Sequence, residues 1–419
     1  MKKLPQTPQT LHKTLARARP RQKKTVVVHI PIVEEVPLLE ESIQETVERP
    51  RSSAPLRQLA DGRRGPGVFR FTMSLVGILG IGSLVAVFVI HYQSPQRAPT
   101  LSVSIPLPKS DVVALNNASV FHRTLDDMVV ASLEEENPSL VAISIDNSED
   151  ARPQLGVDRA LWVYEFPAES TITRWLGIFA ASATADPVPQ IGPVRSLRPY
   201  MAEIARSLGA VVVHSGGSPD ALALEGRFPK DYPSINEFSQ TPYFWRDPTR
   251  KGPHNLFTAM SRLREHPVLE SRTPSLVPLV WKDQAPIVDR GSNKQLVIGY
   301  PKPYQARWSY VPSDDLFHRV DEQGNAWKSP SGVELTTSTI VIQFTDIQVL
   351  DRVGRRDIRL NGTGEVMVMS HGSVELGQWV RHSANARTTL QTVDGDPLAI
   401  KPGRVWWSIV QKGTQVTFE

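Results

Sequence analysis

The 419-residue chain has no cysteine. That one absence excludes disulfides, thiolate metal ligands, thiol nucleophiles and a cysteine-borne lipid within this sequence. A fold built from it rests on an apolar core, which some 330 residues beyond position 90 are enough to supply. Aromatic residues are absent before Phe69. The basic N-terminal region therefore has no ring to stack on a base, and nucleic acid is not an expected partner. Catalytic signatures are missing too: there is no HExxH, no Walker A pattern and no G-x-S-x-G elbow. No metal and no cofactor is expected.

A fourth absence is more informative. Phe71–Ile90 (FTMSLVGILGIGSLVAVFVI) is a 20-residue run without a single charge. A helix of that length spans the hydrocarbon core of a bilayer. Arg63, Arg64 and Arg70 lie just upstream, whereas only Arg97 is close downstream. Basic flanks stay on the cytoplasmic side. The expected topology is a single pass through the cell membrane, N-terminus cytoplasmic and C-terminal bulk extracytoplasmic. A cleaved signal peptide is the rival, disfavoured by 70 preceding residues.

Charge divides at the same place. Residues 1–70 hold 14 Lys/Arg against 7 Asp/Glu, and the remainder 33 against 36. The expected organisation is a disordered basic cytoplasmic tail (1–70), the transmembrane helix (71–90) and a Pro- and Ser-containing spacer (91–108). An α/β domain (109–275) and a mostly antiparallel β domain (276–419) follow.

The α/β expectation rests on strand-like runs at 141–146, 161–166, 173–179 and 210–214. Helices are expected at 199–208, 219–225 and 254–264, the last from Leu256, Phe257, Met260 and Leu263 on one face. Beyond 276 the runs are short, β-branched or aromatic, and divided by turns such as Asp394–Gly395. Trp406 and Trp407 are adjacent and point to opposite faces of a strand. One is expected in the core, the other partly exposed.

Charged residues gather at the predicted strand ends. Asp146, Arg152, Glu165 and Arg174 are followed by Arg195-Ser196-Leu197-Arg198-Pro199. Pro199 suits the first turn of a helix, which places Arg195 and Arg198 at an N-terminus that already favours anions. Arg246, Arg250, His254 and Asn255 repeat the theme, and Ser218 before Pro219 is a cap candidate. The expected anion-binding set is Arg152, Arg174, Arg195, Ser196, Arg198, Arg246, Arg250, His254 and Asn255. The competing arrangement is structural ion pairing of Asp146, Asp158, Glu165 and Glu169 with Arg152, Arg174, Arg195 and Arg198. Were there catalysis, His214 would be the base, oriented by Asp146 or Glu165.

These residues also resemble a known family. Ile145-Asp146-Asn147, Ala151-Arg152-Pro153-Gln154, Val163-Tyr164-Glu165, Ile172-Thr173-Arg174, Ile191–Tyr200, His214–Ser218, Phe244-Trp245-Arg246-Asp247 and Pro253-His254-Asn255-Leu256 are similar to the YerB-like family of bacterial envelope proteins. Asp346, Gly354-Arg355, Gly362-Thr363-Gly364 and Pro402-Gly403 extend the likeness through the β region. The resemblance implies a membrane-attached, extracytoplasmic protein of two domains with no settled biochemical function. Many relatives are anchored through a lipidated cysteine, which this chain lacks. Where relatives carry paired glycines, it has Ser170-Thr171.

The expected function is a non-catalytic module binding an anionic envelope polymer or an envelope protein through an arginine-rich cleft. The alternative is a metal-independent hydrolase or transferase acting on a phosphate- or carboxylate-bearing envelope polymer.

Overall fold

The computed structural model describes residues 120–182, 188–270, 274 and 276–419. The tail, the apolar run Phe71–Ile90 and the spacer lie outside the described residues. Among those described, no helix is long and apolar enough to cross a membrane.

The framework is a ten-stranded mixed sheet. Its spatial order is Thr389–Gln391, Ser373–Arg381, Gly362–Ser370, Thr339–Thr345, Val405–Gln411, Trp162–Pro167, Thr173–Ala180, Leu140–Asp146, Val211–His214, Ser234–Asn236. At its centre Val405–Gln411 runs parallel to both Thr339–Thr345 and Trp162–Pro167. Strands from both sides of residue 276 thus continue one another in a single sheet. A second sheet of five antiparallel strands, Thr336–Thr337, Leu316–Val320, Ala306–Val311, Lys294–Ile298 and Val416–Phe418, accompanies it.

Alternation along the strands builds two cores. Ile143, Val163, Trp175, Ile342 and Trp406 share one cluster with Trp308, Tyr310 and Phe317 of the five-stranded sheet. Ala142, Trp162, Tyr164, Leu176, Val341 and Trp407 share the other with Tyr200, Met201 and Ile204 of the helix Pro199–Ser207. A sheet covered on both faces explains the near-continuous apolar strand LVAISID, in which every residue is buried.

It also corrects the tryptophan expectation. Trp406 and Trp407 are both 0% exposed, because each face has its own cover. Trp406 meets Trp175 edge-on at 5.1 Å, and Trp407 stacks on Trp162 at 5.8 Å.

The architecture is mostly β-sheet with few helices. The helices Pro199–Ser207 and Pro219–Arg227 begin where proline and Ser218 place them, Ser218 Oγ accepting from Ala221 N–H at 3.4 Å. The helix expected over 254–264 does not form as one. Leu256–Thr258 is a strand paired with Phe244–Arg246, and only Met260–Arg264 is helical. Leu256 and Phe257 are buried as neighbours in that hairpin, not as two points on a helical stripe.

Candidate functional site

The site is built where the segment 191–197 crosses the end of the strand Leu140–Asp146. Arg195 N–H donates to Ser144 O at 2.9 Å, and Asp146 N–H to Pro193 O at 2.9 Å. On the other side Val194 N–H donates to Leu256 O at 2.7 Å, which brings His254 alongside. Three segments remote in sequence are thereby held on one carboxylate.

That carboxylate is Asp146, only 2% exposed. Its Oδ1 accepts from Ser148 N–H at 2.9 Å. Its Oδ2 lies 2.7 Å from His254 Nδ1 and 2.9 Å from Arg195 Nε, the latter an ion-pair contact without hydrogen-bond alignment. Burial pushes the Asp146 acid upward, but the Ser148 amide, Arg195, His254 and Arg174 together outweigh it and hold it below the ordinary aspartate value. Asp146 is therefore an anion at neutral pH, and His254 Nδ1 carries the proton donated to it. Ser148 Oγ stands 3.1 Å from the same nitrogen.

The side chains of Arg195 and His254 remain 26% and 16% exposed. Among the described residues the terminal amines of Arg195 and Nε2 of His254 make no hydrogen bond. Both side chains are anchored on the same oxygen, Asp146 Oδ2.

The other nominated arginines are engaged elsewhere. Arg174 Nη2 donates to Glu169 Oε2 at 2.9 Å, and Arg198 pairs with Glu169 Oε1. Arg174 Nη1 also donates to the Ser196 carbonyl, at 3.2 Å. Arg246 spans Glu237 and Asn255, each at 3.1 Å. Arg250 donates to the carbonyls of Ala151 and Pro153 at 3.1 and 2.9 Å, bracing that turn. Arg152 turns to the rings of Tyr304 and Trp327, 5.4 and 5.2 Å away. Neither the cavity beside the helix Pro199–Ser207 nor the water-sized one bounded by Gln154, Trp175 and Trp327 is lined by any of them. Structural ion pairing thus claims most of the set, and Arg195 with His254 is what stays open.

The nominated catalytic residues fare differently. His214 is 0% exposed; Nδ1 lies 2.7 Å from Gly216 O, and Nε2 is 2.6 Å from Glu225 Oε1 in an ion-pair contact without hydrogen-bond alignment, so neither ring nitrogen is open. Glu165 is also 0% exposed, held by Arg319 Nη1 at 3.2 Å, Trp406 Nε1 at 3.0 Å and Thr173 Oγ1 at 2.9 Å. A general base needs an open nitrogen or oxygen within reach of the reacting proton; neither group presents one. Sequence reasoning nominated His254 as an anion ligand, not as a base, and did not single out Ser148, Glu225, Glu237 or Arg319. A motif signal existed only for Ser148, two residues after Asp146. Among the described residues no three His, Asp or Glu gather closely enough to hold a metal ion.

Residues 129–274 match the N-terminal domain of DUF3048, a protein of unknown function, and residues 296–407 match its C-terminal domain. The chain belongs to the DUF3048, or YerB-like, family. It is 30% identical over 285 residues to "Putative lipoprotein YerB" of Bacillus subtilis (strain 168), across 64% of this chain and 80% of that protein. The crystal structure of YerB from Bacillus subtilis superposes with a TM-score of 0.62 at 24% identity, covering 71% of this chain and 99% of that one. The mostly β fold is therefore shared with a solved member of the family.

Proposed function

We propose that the protein is an extracytoplasmic envelope module, attached to the cell membrane through Phe71–Ile90, that contacts an anionic envelope polymer or envelope protein without catalysis. The relative named as a lipoprotein supports the attachment and the compartment. With no cysteine in this sequence, the charge-free run takes over the anchoring. The observation that carries the binding reading is the arrangement on Asp146: one buried carboxylate orients Arg195 and His254 and leaves their outer donors unused. A preset guanidinium beside an imidazole suits a phosphate or carboxylate oxygen. The cleft of many arginines is thereby reduced to this pair.

The test is binding of the full-length protein to polyphosphate and to polyglutamate across a salt series. Binding should weaken as salt rises. Arg195→Ala should weaken it by about 1–3 kcal/mol, the usual loss for a charge-assisted hydrogen bond. Equal binding by the variant, or none by the wild type, sinks the proposal.

The hydrolase reading keeps one favourable observation. A histidine held at Nδ1 by an aspartate, with Nε2 free, is the geometry of a general base. Ser148 Oγ, however, sits on the nitrogen that Asp146 already occupies, so it cannot deliver its proton to Nε2. The dyad has a base without a nucleophile, and a catalytic version would need water in that role. Turnover of a phosphoester that His254→Ala abolishes, with binding intact, would decide for it.

A further inference from the structure

A second place in the fold is poised for a ligand, with a chemistry opposite to that around Arg195. A cavity of about 420 Å³ opens between the helix Pro199–Ser207 and the hairpin formed by Ile347–Val349 and Arg356–Ile358. Small-molecule sites fall at roughly 300–1,000 Å³. Its apolar floor is Ile358 and Leu360, 5% and 3% exposed. On its rim Arg359 and Asp346 satisfy each other at 2.8 Å, and Lys412 also holds Asp346.

The remaining lining is polar, with Glu203 half-buried and Gln348, Asp357 and Asn361 exposed. Glu203 comes from the helix, Gln348 and Asp357 from the two hairpin strands, and Asn361 from the segment beyond. Among the described residues none of these four side chains makes a hydrogen bond or ion pair. Here two carboxylates and two carboxamides converge on one cavity with their capacity unspent. Carboxylates only accept hydrogen bonds; carboxamides both donate and accept. Burial, and then the charge of Asp357, push the Glu203 carboxyl above its ordinary value despite Arg381. A cation placed between the two carboxylates would remove that repulsion.

We infer that this cavity binds a polyhydroxylated ligand carrying an ammonium group, of the amino-sugar class. The ammonium pairs with Glu203 and Asp357. Hydroxyl groups exchange hydrogen bonds with Gln348 and Asn361, and the ring's C–H face lies on Ile358 and Leu360. The inference stands independently of the Arg195–His254 reading, because the two sites share no residue.

Calorimetric titration of the full-length protein with glucosamine, N-acetylglucosamine and glucose tests it. Glucosamine should bind at least fivefold more tightly than either neutral sugar. Glu203→Gln and Asp357→Asn should each lower its affinity at least fivefold. Gln348→Ala, on an exposed hairpin position that does not support the core, should lower it about threefold. Asp394→Asn, a neutralised carboxylate on an exposed loop outside the cavity, should change nothing. Equal binding of all three sugars, no binding of glucosamine, or an undiminished affinity in Asp357→Asn and Gln348→Ala would each overturn the inference.

Discussion

Two carboxylates on one sheet are treated in opposite ways. Glu165, inside the strand Trp162–Pro167, is sealed. Its partner Arg319 is 3% exposed and lies 5.1–5.9 Å from the rings of Trp175, Trp308, Trp327 and Trp406. Asp146, at the end of the strand Leu140–Asp146, is as deeply buried itself but pairs with side chains that reach solvent. The difference is positional. A charge in mid-strand under a second sheet can only be matched by another buried charge, and it then joins parts of the fold 154 residues apart. A charge at a strand end can orient partners whose far sides stay wet. The first arrangement holds structure together; the second presents chemistry.

The largest test of that contrast is to break the sealed pair. Glu165→Gln leaves the Arg319 guanidinium buried without its counter-charge, at a cost of about 3–5 kcal/mol. Differential scanning calorimetry should show a marked fall in the unfolding temperature. Adding Arg319→Met to that variant should recover part of the loss, since replacing both ions of a buried pair by apolar groups is often close to neutral. A single-variant loss below about 1 kcal/mol, the scale of an exposed pair, would erase the distinction between the two regions.

Glu169 lies between the extremes. It serves Arg174, whose side chain is 5% exposed, and Arg198, at 12%. Glu169→Gln should cost less than Glu165→Gln, about 1–3 kcal/mol, because a hydrogen-bond acceptor remains and solvent reaches Arg198. Chemical denaturation of the two variants side by side checks the ranking. A larger loss at Glu169 would mean that this turn, rather than the aromatic box, carries the fold.

The legibility of these regions from sequence follows the same division. The strands at 141–146 and 405–411, and the helix starts at Pro199 and Pro219, were readable because β-branched runs, proline and a capping serine act within a few residues. The stretch 254–264 was misread. Leu256, Phe257, Met260 and Leu263 match a helical stripe and equally match a buried strand followed by one helical turn; the partner strand Phe244–Arg246 decides. Glu165 and His214 looked like catalytic candidates because a titratable residue in an apolar strand is conspicuous. Their occupants, Arg319 and Glu225, lie in segments that carry no local mark of the pairing. The burial of Trp407 was hidden for a similar reason, since alternation predicts two faces but not that both are covered. Asp146, Arg195 and His254 were all nominated, yet nothing in their spacing said that one oxygen gathers the last two.

The smallest effect expected is at Asp146, and it is read through pH. The folded-state acid is held below the ordinary aspartate value of 3.8 by its partners, in spite of burial. A depressed carboxyl contributes stability above its unfolded-state pKa and loses it as pH falls through the folded value. Wild-type stability should therefore decline between about pH 4 and lower values, in part through this group. Asp146→Asn keeps an acceptor for Ser148 N–H but cannot titrate. It should be less stable than wild type near neutrality, and the gap should narrow as pH falls below about 4. Urea denaturation at closely spaced pH values measures that gap. A gap that stays constant into acid would mean that Asp146 acts only as a neutral hydrogen-bond acceptor. Arg195 and His254 would then not be held by its charge, and the open pair on which the binding proposal rests would lose its orienting group.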